Sequence, residues 1–236
     1  MNRLKLPHVT LSAAKCGEAT RRTPRALGLG ARLLVLFLGL LLAGRARGDR
    51  KEIYTVLGFD AGVNHYNLPE SGSGNTTSYA GALDLAVYYG LTNTFHVGGR
   101  LRLSSTPNVH FRSARLTMSD GSESVGDVFA DHRSVAVGAL GLYRVDTGFA
   151  LAPLFEVETG VAMHQYRRIE QVPAHATYKV DLASASQNSL YGQAAVLLEY
   201  RFGNRWMAAT GISFRAESGN MQPWAFGVPL RVGFIW

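Results

Sequence analysis

The sequence has a single cysteine, Cys16, which lies close to the N-terminus. Residues 49–236 therefore contain no cysteine, which excludes a disulfide framework or a thiolate metal site in that part of the chain. Histidines are present, but they form neither an HxH nor an HExxH motif. The sequence accordingly predicts no metal ion and no other cofactor.

Long apolar runs are also absent after residue 48. A membrane-spanning helix needs roughly 18–20 consecutive apolar residues, so helical spans are excluded there. The apolar run Leu33–Leu42 has only ten residues, and it follows a basic segment and precedes small residues. This order predicts a secretory signal peptide within a leader of residues 1–48, cleaved after Ala46 or Gly48.

The excess of positive charge is confined to the leader. The whole chain has a net charge of +7, but residues 1–48 contain nine basic residues and one acidic residue. Residues 49–236 contain fifteen basic and sixteen acidic residues, a net charge of −1. Because domains that bind nucleic acid usually carry a strong basic excess, the sequence predicts no nucleic-acid partner.

Alternation of apolar and polar residues dominates the chain after the leader. Successive side chains of a β-strand point to opposite faces, so this period of two predicts strands with one apolar face and one polar face. Eight such segments are present: Ile53–Tyr66, Tyr79–Leu91, Phe95–Leu103, Arg133–Tyr143, Phe149–His164, Leu190–Phe202, Trp206–Arg215 and Trp224–Trp236. Each is long enough for a tilted crossing of a bilayer, which takes roughly 9–11 residues.

The connections between these segments alternate in length. Those at 92–94, 145–148 and 203–205 are short, whereas long polar loops are predicted over 67–78, Ser104–His132 and Gln165–Asn188, with a shorter polar loop over Glu217–Gln222. Short turns on one side and long loops on the other are typical of outer-membrane barrels. An open sheet edge in lipid would leave backbone groups unpaired, so the sheet must close. The predicted fold is all-β: an eight-stranded antiparallel up-and-down transmembrane β-barrel over residues 49–236, preceded by the signal peptide.

Two stretches carry a resemblance to a known family. Trp224–Trp236 ends on aromatic residues at alternate positions, and its part from Val228 to Trp236 resembles the C-terminal signal of bacterial outer-membrane barrels, with Phe234 and Trp236 as the signal residues. Together with YYGLTNTFHVGGRLRL at Tyr88–Leu103, it resembles the small OmpA/OmpX/OmpW-type barrels. The resemblance covers about residues 50–236 and includes no further domain after the barrel.

That resemblance implies a location and a set of partners. The expected location is the outer membrane of a Gram-negative bacterium, reached through the inner membrane by the signal peptide. The expected surroundings are outer-membrane lipid and lipopolysaccharide. During biogenesis the chain would meet periplasmic chaperones and the barrel assembly machinery, and the mature protein is expected to be a monomer.

Charged residues on the polar faces are candidates for the barrel interior. They are Asp60, Asp84, Glu156, Glu158 and Glu199, with Arg100, Arg102, Arg201, Arg215 and Arg231. An eight-stranded barrel has room inside only for side chains, and an unpaired buried charge is costly, so these groups are predicted to pair and to fill the barrel. The alternative is a narrow channel for small solutes, with Arg102 or Glu158 as the gate.

Enzymatic activity is not predicted. A barrel that modifies lipid A would need a histidine with a serine and an acid, and no spacing here implies such a triad. The candidate histidines are His65, His96, His110, His132, His164 and His175, of which His96 and His164 are expected to be polar core or rim residues. A lipid A-modifying enzyme remains the less favoured alternative to a structural or surface-interaction role.

The predicted long loops offer a second kind of site. Aromatic and arginine side chains on exposed loops can form binding hot spots. The candidates are Phe111, Phe129, Tyr166 and Tyr178, with Arg112, Arg115, Arg167 and Arg168, whose guanidinium groups are expected to meet lipopolysaccharide phosphates. A soluble lipocalin-like barrel is disfavoured, because aromatic residues border the apolar face while the opposite face carries balanced charge.

Overall fold

The computed structural model describes residues 52–68, 72–117, 122–145, 147, 149–174, 180–202 and 205–236. The predicted leader, His175 and Tyr178 lie outside these residues. Eight long strands are present: β1 Ile53–Asn67, β2 Asn75–Gly90, β3 Phe95–Thr117, β4 Glu123–Arg144, β5 Leu151–Pro173, β6 Ala185–Phe202, β7 Trp206–Glu217 and β8 Trp224–Ile235. Two short strands, Gly72–Ser73 and Val180–Leu182, pair with β3 and β5. No helix in the described ranges is long and apolar enough to cross a membrane.

The long strands form a closed ring. Each pairs antiparallel with its neighbour in sequence, and β8 returns to pair with β1 from Tyr54↔Ile235 to His65↔Trp224. The predicted eight-stranded antiparallel up-and-down barrel is therefore confirmed. Closure gives every strand a hydrogen-bonding neighbour on both sides, as a sheet surrounded by hydrocarbon requires.

The outward face of the ring is an exposed apolar belt. On β8, for example, Val228 is 44% exposed and Leu230 is 54% exposed. Aromatic side chains border the belt, with Trp206 and Trp236 at the end that carries the short turns and Trp224 at the opposite end. We call these the turn end and the extension end. An exposed aliphatic band between aromatic borders is stable in lipid and unfavourable in water, so the belt is the lipid-facing surface.

A polar row marks the extension end of the belt on four neighbouring strands. Cross-strand pairing aligns the outward residues Ser105, Arg133, Gln165 and Ser186. The next outward residues toward the turn end, two positions along each strand, include Leu103, Val135 and Met163. All three are exposed and apolar. We call the first set the boundary row, and the parts of β3–β6 beyond it the extension.

The long loops predicted over Ser104–His132 and Gln165–Asn188 are largely strands, so that prediction was wrong. β3 continues to Thr117 and β4 begins at Glu123, so the two form a hairpin that extends beyond the belt. β5 likewise continues to Pro173. These segments are polar because their outward face meets water, and this hides the alternation that marks a strand in lipid.

Three β-bulges interrupt the alternation in the extension. On β3, two residues oppose one residue of β4 between Thr106 and Val109, and again between Phe111 and Ala114. The third bulge is on β5, where two residues oppose one residue of β4 between Phe129 and Asp131. Residues with positive φ occur at all three, namely Asn108 (53°), Ser113 (48°) and Arg168 (50°). Each bulge adds one residue and so exchanges the two faces of the strand.

The exchange turns apolar side chains inward. Before the first bulge the inward residues of β3 are Arg102 and Thr106, whereas after it they are Val109 and Phe111. The extension thus packs around its own apolar core, to which the end of β1 and the turn before β8 also contribute. Its members are Tyr66, Leu68, Val109, Phe111, Ala114, Leu116, Val128, Ala130, Tyr166, Ile169 and Met221.

Candidate functional site

The centre of the barrel holds a compact cluster of buried ion pairs. Arg100 contacts Glu156 at 2.7 Å and Glu158 at 2.6 Å, and Arg231 contacts Glu156 at 2.5 Å and 3.0 Å. The hydroxyl of Tyr88 donates to Glu156 at 3.0 Å and accepts from Arg100 at 3.0 Å. These charged side chains are no more than 2% exposed, so each charge depends on its partners for compensation.

A second cluster surrounds Arg102. Its guanidinium group contacts Asp84 at 2.7 Å and 3.2 Å, the Gln193 side-chain oxygen at 2.8 Å, and the carboxylate of Asp60. Arg102 and its three partners therefore come from four different strands. All four are buried.

Two smaller clusters lie toward the ends of the barrel. At the turn end, Glu199 accepts from Arg201 at 2.7 Å and from Arg144 at 2.9 Å. Toward the extension, Arg215 contacts Glu217 at 2.8 Å and lies over the ring of Tyr191, 3.8 Å from its centroid.

The ten predicted interior residues are thus distributed over four clusters. All are on the inward face, and Arg201 is the most exposed of them. Sequence reasoning did not assign partners and missed several members, among them Glu52, Tyr54, Tyr88, Arg144, Tyr191, Gln193 and Glu217. Tyr54, Tyr88 and Tyr191 share the inward face of their strands with the predicted residues. That shared face is the sequence signal from which their membership of the clusters could have been predicted. Gly138 also belongs to the arrangement, since a Cβ there would collide with the Tyr191 hydroxyl and the Glu158 carboxylate.

Apolar clusters lie on both sides of the charged centre. At the turn end, Leu142, Leu154 and Met207 are buried in one such cluster. At the extension end, Phe111 and Tyr166 belong to the extension core and are fully buried. Two cavities between strands have volumes of ≈ 10 Å³ and ≈ 40 Å³. Neither is large enough for the passage of a solute.

A histidine-centred cluster lies where the barrel meets the extension. His164 Nε2 is 2.6 Å from Glu217 Oε2 and 3.1 Å from Ser189 Oγ, and Ser189 donates to Glu217 at 2.5 Å. His164 Nδ1 is 3.1 Å from His132 Nε2, and the two imidazole rings stack at a centroid distance of 5.3 Å.

Burial, hydrogen bonds and neighbouring charges together set the protonation of the cluster members that lie beyond the belt. Burial and the neighbouring His164 lower the pKa of His132 to about 3. Burial alone would raise the pKa of Glu217, but the hydrogen bond from His164 and the charge of Arg215 outweigh it and lower that pKa. His132 is therefore neutral and Glu217 is ionised at neutral pH.

This cluster contains the three residue types of a hydrolytic triad in a different arrangement. In a triad, the nucleophile and the acid bind opposite nitrogens of the imidazole. Here Ser189 and Glu217 both contact Nε2 of His164, and Nδ1 faces His132. Ser189 is only 5% exposed. The geometry is that of a hydrogen-bonded core cluster, which sequence spacing did not indicate because its members come from four strands.

The other histidines lie apart from this cluster. His65 stacks on Trp224 on the outward face, at a centroid distance of 5.2 Å. His96 faces inward beside Tyr54, and His110 contacts Asp127 at 3.0 Å on the surface of the extension. Within the described residues, no group of three or more His, Cys, Asp or Glu side chains is placed to hold a metal ion.

The expectation of exposed aromatic hot spots was wrong for two residues. Phe111 and Tyr166 are fully buried in the extension core because the bulge before Phe111 turns it inward and Tyr166 keeps the inward face of β5. Phe129 is half-buried and stacks on His110 at a centroid distance of 4.4 Å.

Two of the predicted loop arginines already have carboxylate partners. Arg115 contacts Glu123 at 3.4 Å, and Arg168 contacts Asp131 at 3.1 Å. Arg167 instead donates to Gln165 at 2.8 Å.

No protein-family model matches the chain, and no curated protein matches its sequence. Among solved structures, it is similar to Neisserial surface protein A, with a TM-score of 0.47 and 11% identity over 77% of this chain and 95% of that chain. The attachment invasion locus protein Ail of Yersinia pestis matches with a TM-score of 0.48 and 12% identity over 79% of this chain and 100% of that chain. The outer membrane protein OprG of Pseudomonas aeruginosa matches with a TM-score of 0.41 and 11% identity over 79% and 96%. The chain has the eight-stranded up-and-down architecture of the OmpA/OmpX/OmpW-type barrels that its sequence resembles.

Proposed function

We propose that the protein is a closed, non-catalytic barrel of the outer membrane of a Gram-negative bacterium, with a structural or surface-interaction role. The observation that supports this most is the filled interior. Ion pairs occupy the centre and apolar clusters lie at both ends. An interior of this kind stiffens the barrel and leaves the extension as the surface that meets partners.

The channel alternative requires the gate residues to move, and their contacts oppose this. Arg102 would have to leave two carboxylates and Gln193. Glu158 would have to leave Arg100 and the Tyr191 hydroxyl. Breaking one buried ion pair typically costs about 3–5 kcal/mol, so we favour the closed barrel.

The test is planar-bilayer conductance of the refolded protein, together with an electrophoretic comparison of heated and unheated samples. A closed barrel gives a heat-dependent change in migration and no steady current. A reproducible current that changes in Arg102→Ala or Glu158→Ala would overturn the proposal in favour of a channel. A chain that neither inserts nor changes migration would contradict the membrane location itself.

Lipopolysaccharide is the proposed neighbour at the boundary row. Arg133 lies directly across from Gln165, the residue to which Arg167 donates. Both arginines are exposed, and within the described residues neither has a carboxylate at salt-bridge distance. Arg133 belongs to the boundary row, and Arg167 follows Gln165 by two residues on the same strand. From these positions beside the apolar belt, their long side chains would reach lipid phosphate groups. Arg133 and Arg167 are therefore better placed for this contact than Arg115 or Arg168.

Vesicles with and without lipopolysaccharide test this contact. We expect lipopolysaccharide to raise the urea midpoint of unfolding, and the increase to be lost in the double variant Arg133→Gln/Arg167→Gln. The control Arg115→Gln should keep the full increase. Free inorganic phosphate should have no effect, because it lacks the lipid that places it at the belt. Equal increases in both variants would contradict the assignment.

A further inference from the structure

One buried histidine lies at the junction between the filled barrel and the extension core. His132 is 0% exposed, and its ring packs against three others: Tyr66 at a centroid distance of 4.9 Å, and Tyr166 and His164 at 5.3 Å each. Histidine is the side chain whose ordinary titration falls between pH 5 and pH 8. Whether His132 takes up a proton therefore depends on the groups that cover it.

The surroundings of His132 do not accommodate a positive charge. Doubly protonated His132 carries an N–H at Nδ1, and within the described residues this nitrogen has no hydrogen-bond partner. The charged and titratable groups that face the ring from neighbouring strands are Tyr66 on β1, His164 and Tyr166 on β5, and Arg215 and Glu217 on β7. Glu217 is the one acid in this set, and it already contacts His164 at 2.6 Å. Burial and the neighbouring His164 accordingly lower the pKa of His132 to about 3.

One of the covering tyrosines also holds the extension core together. The Tyr166 hydroxyl donates to the Asn67 carbonyl at 3.0 Å and to the Met221 carbonyl at 3.2 Å. The Asn67 amide donates to the same Met221 carbonyl at 3.1 Å. Tyr166 therefore joins the end of β1 to the turn before β8, and we call these three hydrogen bonds the latch.

The other covering tyrosine has different partners. The Tyr66 hydroxyl lies 2.7 Å from the Thr106 hydroxyl, and it accepts from the Asn64 side chain at 3.0 Å. Both partners are side chains of long strands, β3 and β1, and neither belongs to the turn before β8. The two tyrosines are thus a matched pair, because both rings cover His132 but only the Tyr166 hydroxyl belongs to the latch.

Hydration of His132 requires the covering rings to move. A buried cation without compensation costs several kcal/mol, so water must reach the ring before it carries a charge. Displacement of Tyr166 from His132 breaks the latch. Proton uptake and opening of the extension are therefore coupled, and each favours the other.

We propose that His132 is an acid-sensitive trigger whose protonation releases the Tyr166 latch and opens the extension, while the barrel within the belt stays closed. The surface beyond the belt then changes with pH and needs no ligand to do so. The inference goes beyond the proposed function, because it concerns proton uptake and depends on neither conductance nor contact with lipopolysaccharide.

Amide hydrogen exchange of the refolded protein in lipid nanodiscs, followed by NMR at pH 7 and pH 5, provides the test. The Asn67 amide reports the latch, and the Gly90 amide, which donates to the Glu52 carbonyl at 2.9 Å, reports the turn end. The exchange rates are corrected for the intrinsic effect of pH. The open fraction at Asn67 should then rise roughly 25-fold, because exposed His132 titrates near pH ~6.5. Protection at Gly90 should not change.

His132→Gln tests the trigger. The amide has no proton to take up between pH 7 and pH 5, so the acid-induced rise at Asn67 should be lost. His110→Gln, on the surface of the same hairpin, is the control and should keep the rise.

Tyr166→Phe tests the latch separately from the trigger. The variant keeps the ring on His132 and removes the hydroxyl that holds Asn67 and Met221. Exchange at Asn67 should therefore be roughly 5- to 10-fold faster already at pH 7. Tyr66→Phe removes the hydroxyl of the other covering ring, and it should leave Asn67 exchange at pH 7 unchanged.

Three results would overturn the proposal. One is a corrected exchange rate at Asn67 that does not rise between pH 7 and pH 5, or that rises equally at Gly90, because the whole barrel then opens. Another is an acid-induced rise that His132→Gln leaves intact, which would assign the trigger to a different group. The third is equal exchange at Asn67 in Tyr166→Phe and Tyr66→Phe, which would remove the latch.

Discussion

The barrel within the belt and the extension beyond it differ in which face is apolar. Within the belt the interior holds charges such as Arg100 and Glu156, and the outside is apolar. In the extension the interior holds Val109 and Phe111, and the outside is polar. The same strands run through both regions. The difference shows that the surrounding medium, lipid or water, decides which face of a strand is apolar.

On β3 and β5, bulges bring this exchange about without interrupting the strands, whereas β4 has no added residue and turns Val128 and Ala130 inward through its sequence alone. An uninterrupted strand that keeps its alternation would place its apolar face outward in water beyond the boundary row. One added residue exchanges the faces and leaves the hydrogen-bonded pairing to continue on both sides. Asp127 and Asp131 stabilise the bulges of β3, because they accept from the amides of Ser113 and Asn108 at 3.0 Å and 3.1 Å.

The largest expected effect concerns the charges inside the belt. Glu156→Gln removes the carboxylate shared by Arg100 and Arg231, and it should cost roughly 3–5 kcal/mol because both cations stay buried. The matched change in the extension is Glu123→Gln, whose partner Arg115 is 61% exposed, and this should cost about 0–1 kcal/mol. Urea unfolding in lipid vesicles measures both. Equal losses would contradict the difference between the two interiors.

The next effect compares two outward valines with almost the same exposure. Val228 in the belt is 44% exposed, and Val125 in the extension is 43% exposed. Val228→Arg should cost about 2–4 kcal/mol, because it places a cation in lipid. Val125→Arg should lie within about 0.5 kcal/mol of the parent, because it meets water. The same vesicle assay applies, and a large loss at Val125 would place the edge of the lipid belt elsewhere.

The smallest effect is a pH dependence at the junction of the two regions. The pKa of His132 is about 3 in the folded protein, against 6.5 when exposed, so the unfolded chain takes up the proton first. Stability is therefore full above pH ~6.5 and falls by about 1.4 kcal/mol per unit below it, which amounts to about 2 kcal/mol at pH 5. The lowered pKa of Glu217 acts only below the usual carboxylate range.

Unfolding free energies at pH 7 and pH 5 check this, with His132→Gln as the test variant. That variant should lose most of the acid-induced decrease. His110→Gln on the surface of the same hairpin is the control and should keep it. A decrease that is unchanged in His132→Gln would assign the acid sensitivity to another group.

Sequence reasoning succeeded where one medium surrounds a whole strand. β7 and β8 were predicted within two residues at each end, because their alternation is uninterrupted. The prediction of strands failed between Leu103 and Arg133. There the outward face is polar, and the bulges shift the alternation of apolar and polar residues by one position. Neither bulge on β3 carries a glycine, and the one local sign is Pro107-Asn108 at the first bulge, a pair that is equally typical of a loop.

The interior charges were likewise predictable only as a set. Alternation places Arg100 and Glu156 on inward faces, but it does not state that they meet. Their contact crosses the barrel between β3 and β5, which are not adjacent in the sheet. Which charges meet depends on strand tilt and stagger, and a single sequence does not encode these in any local pattern.

The pairing of β1 with β8 has a consequence for the order of assembly. The Trp236 indole donates to the Thr55 hydroxyl across 181 residues of chain, and the strand pair beside it is equally remote in sequence. Contacts between such distant segments form slowly, because the entropy of closing a long loop is lost before any hydrogen bond between the two strands can form. Until the ring closes, both edges are open templates for aggregation. The time the polypeptide spends with those edges exposed is the interval in which the predicted chaperones and assembly machinery would act.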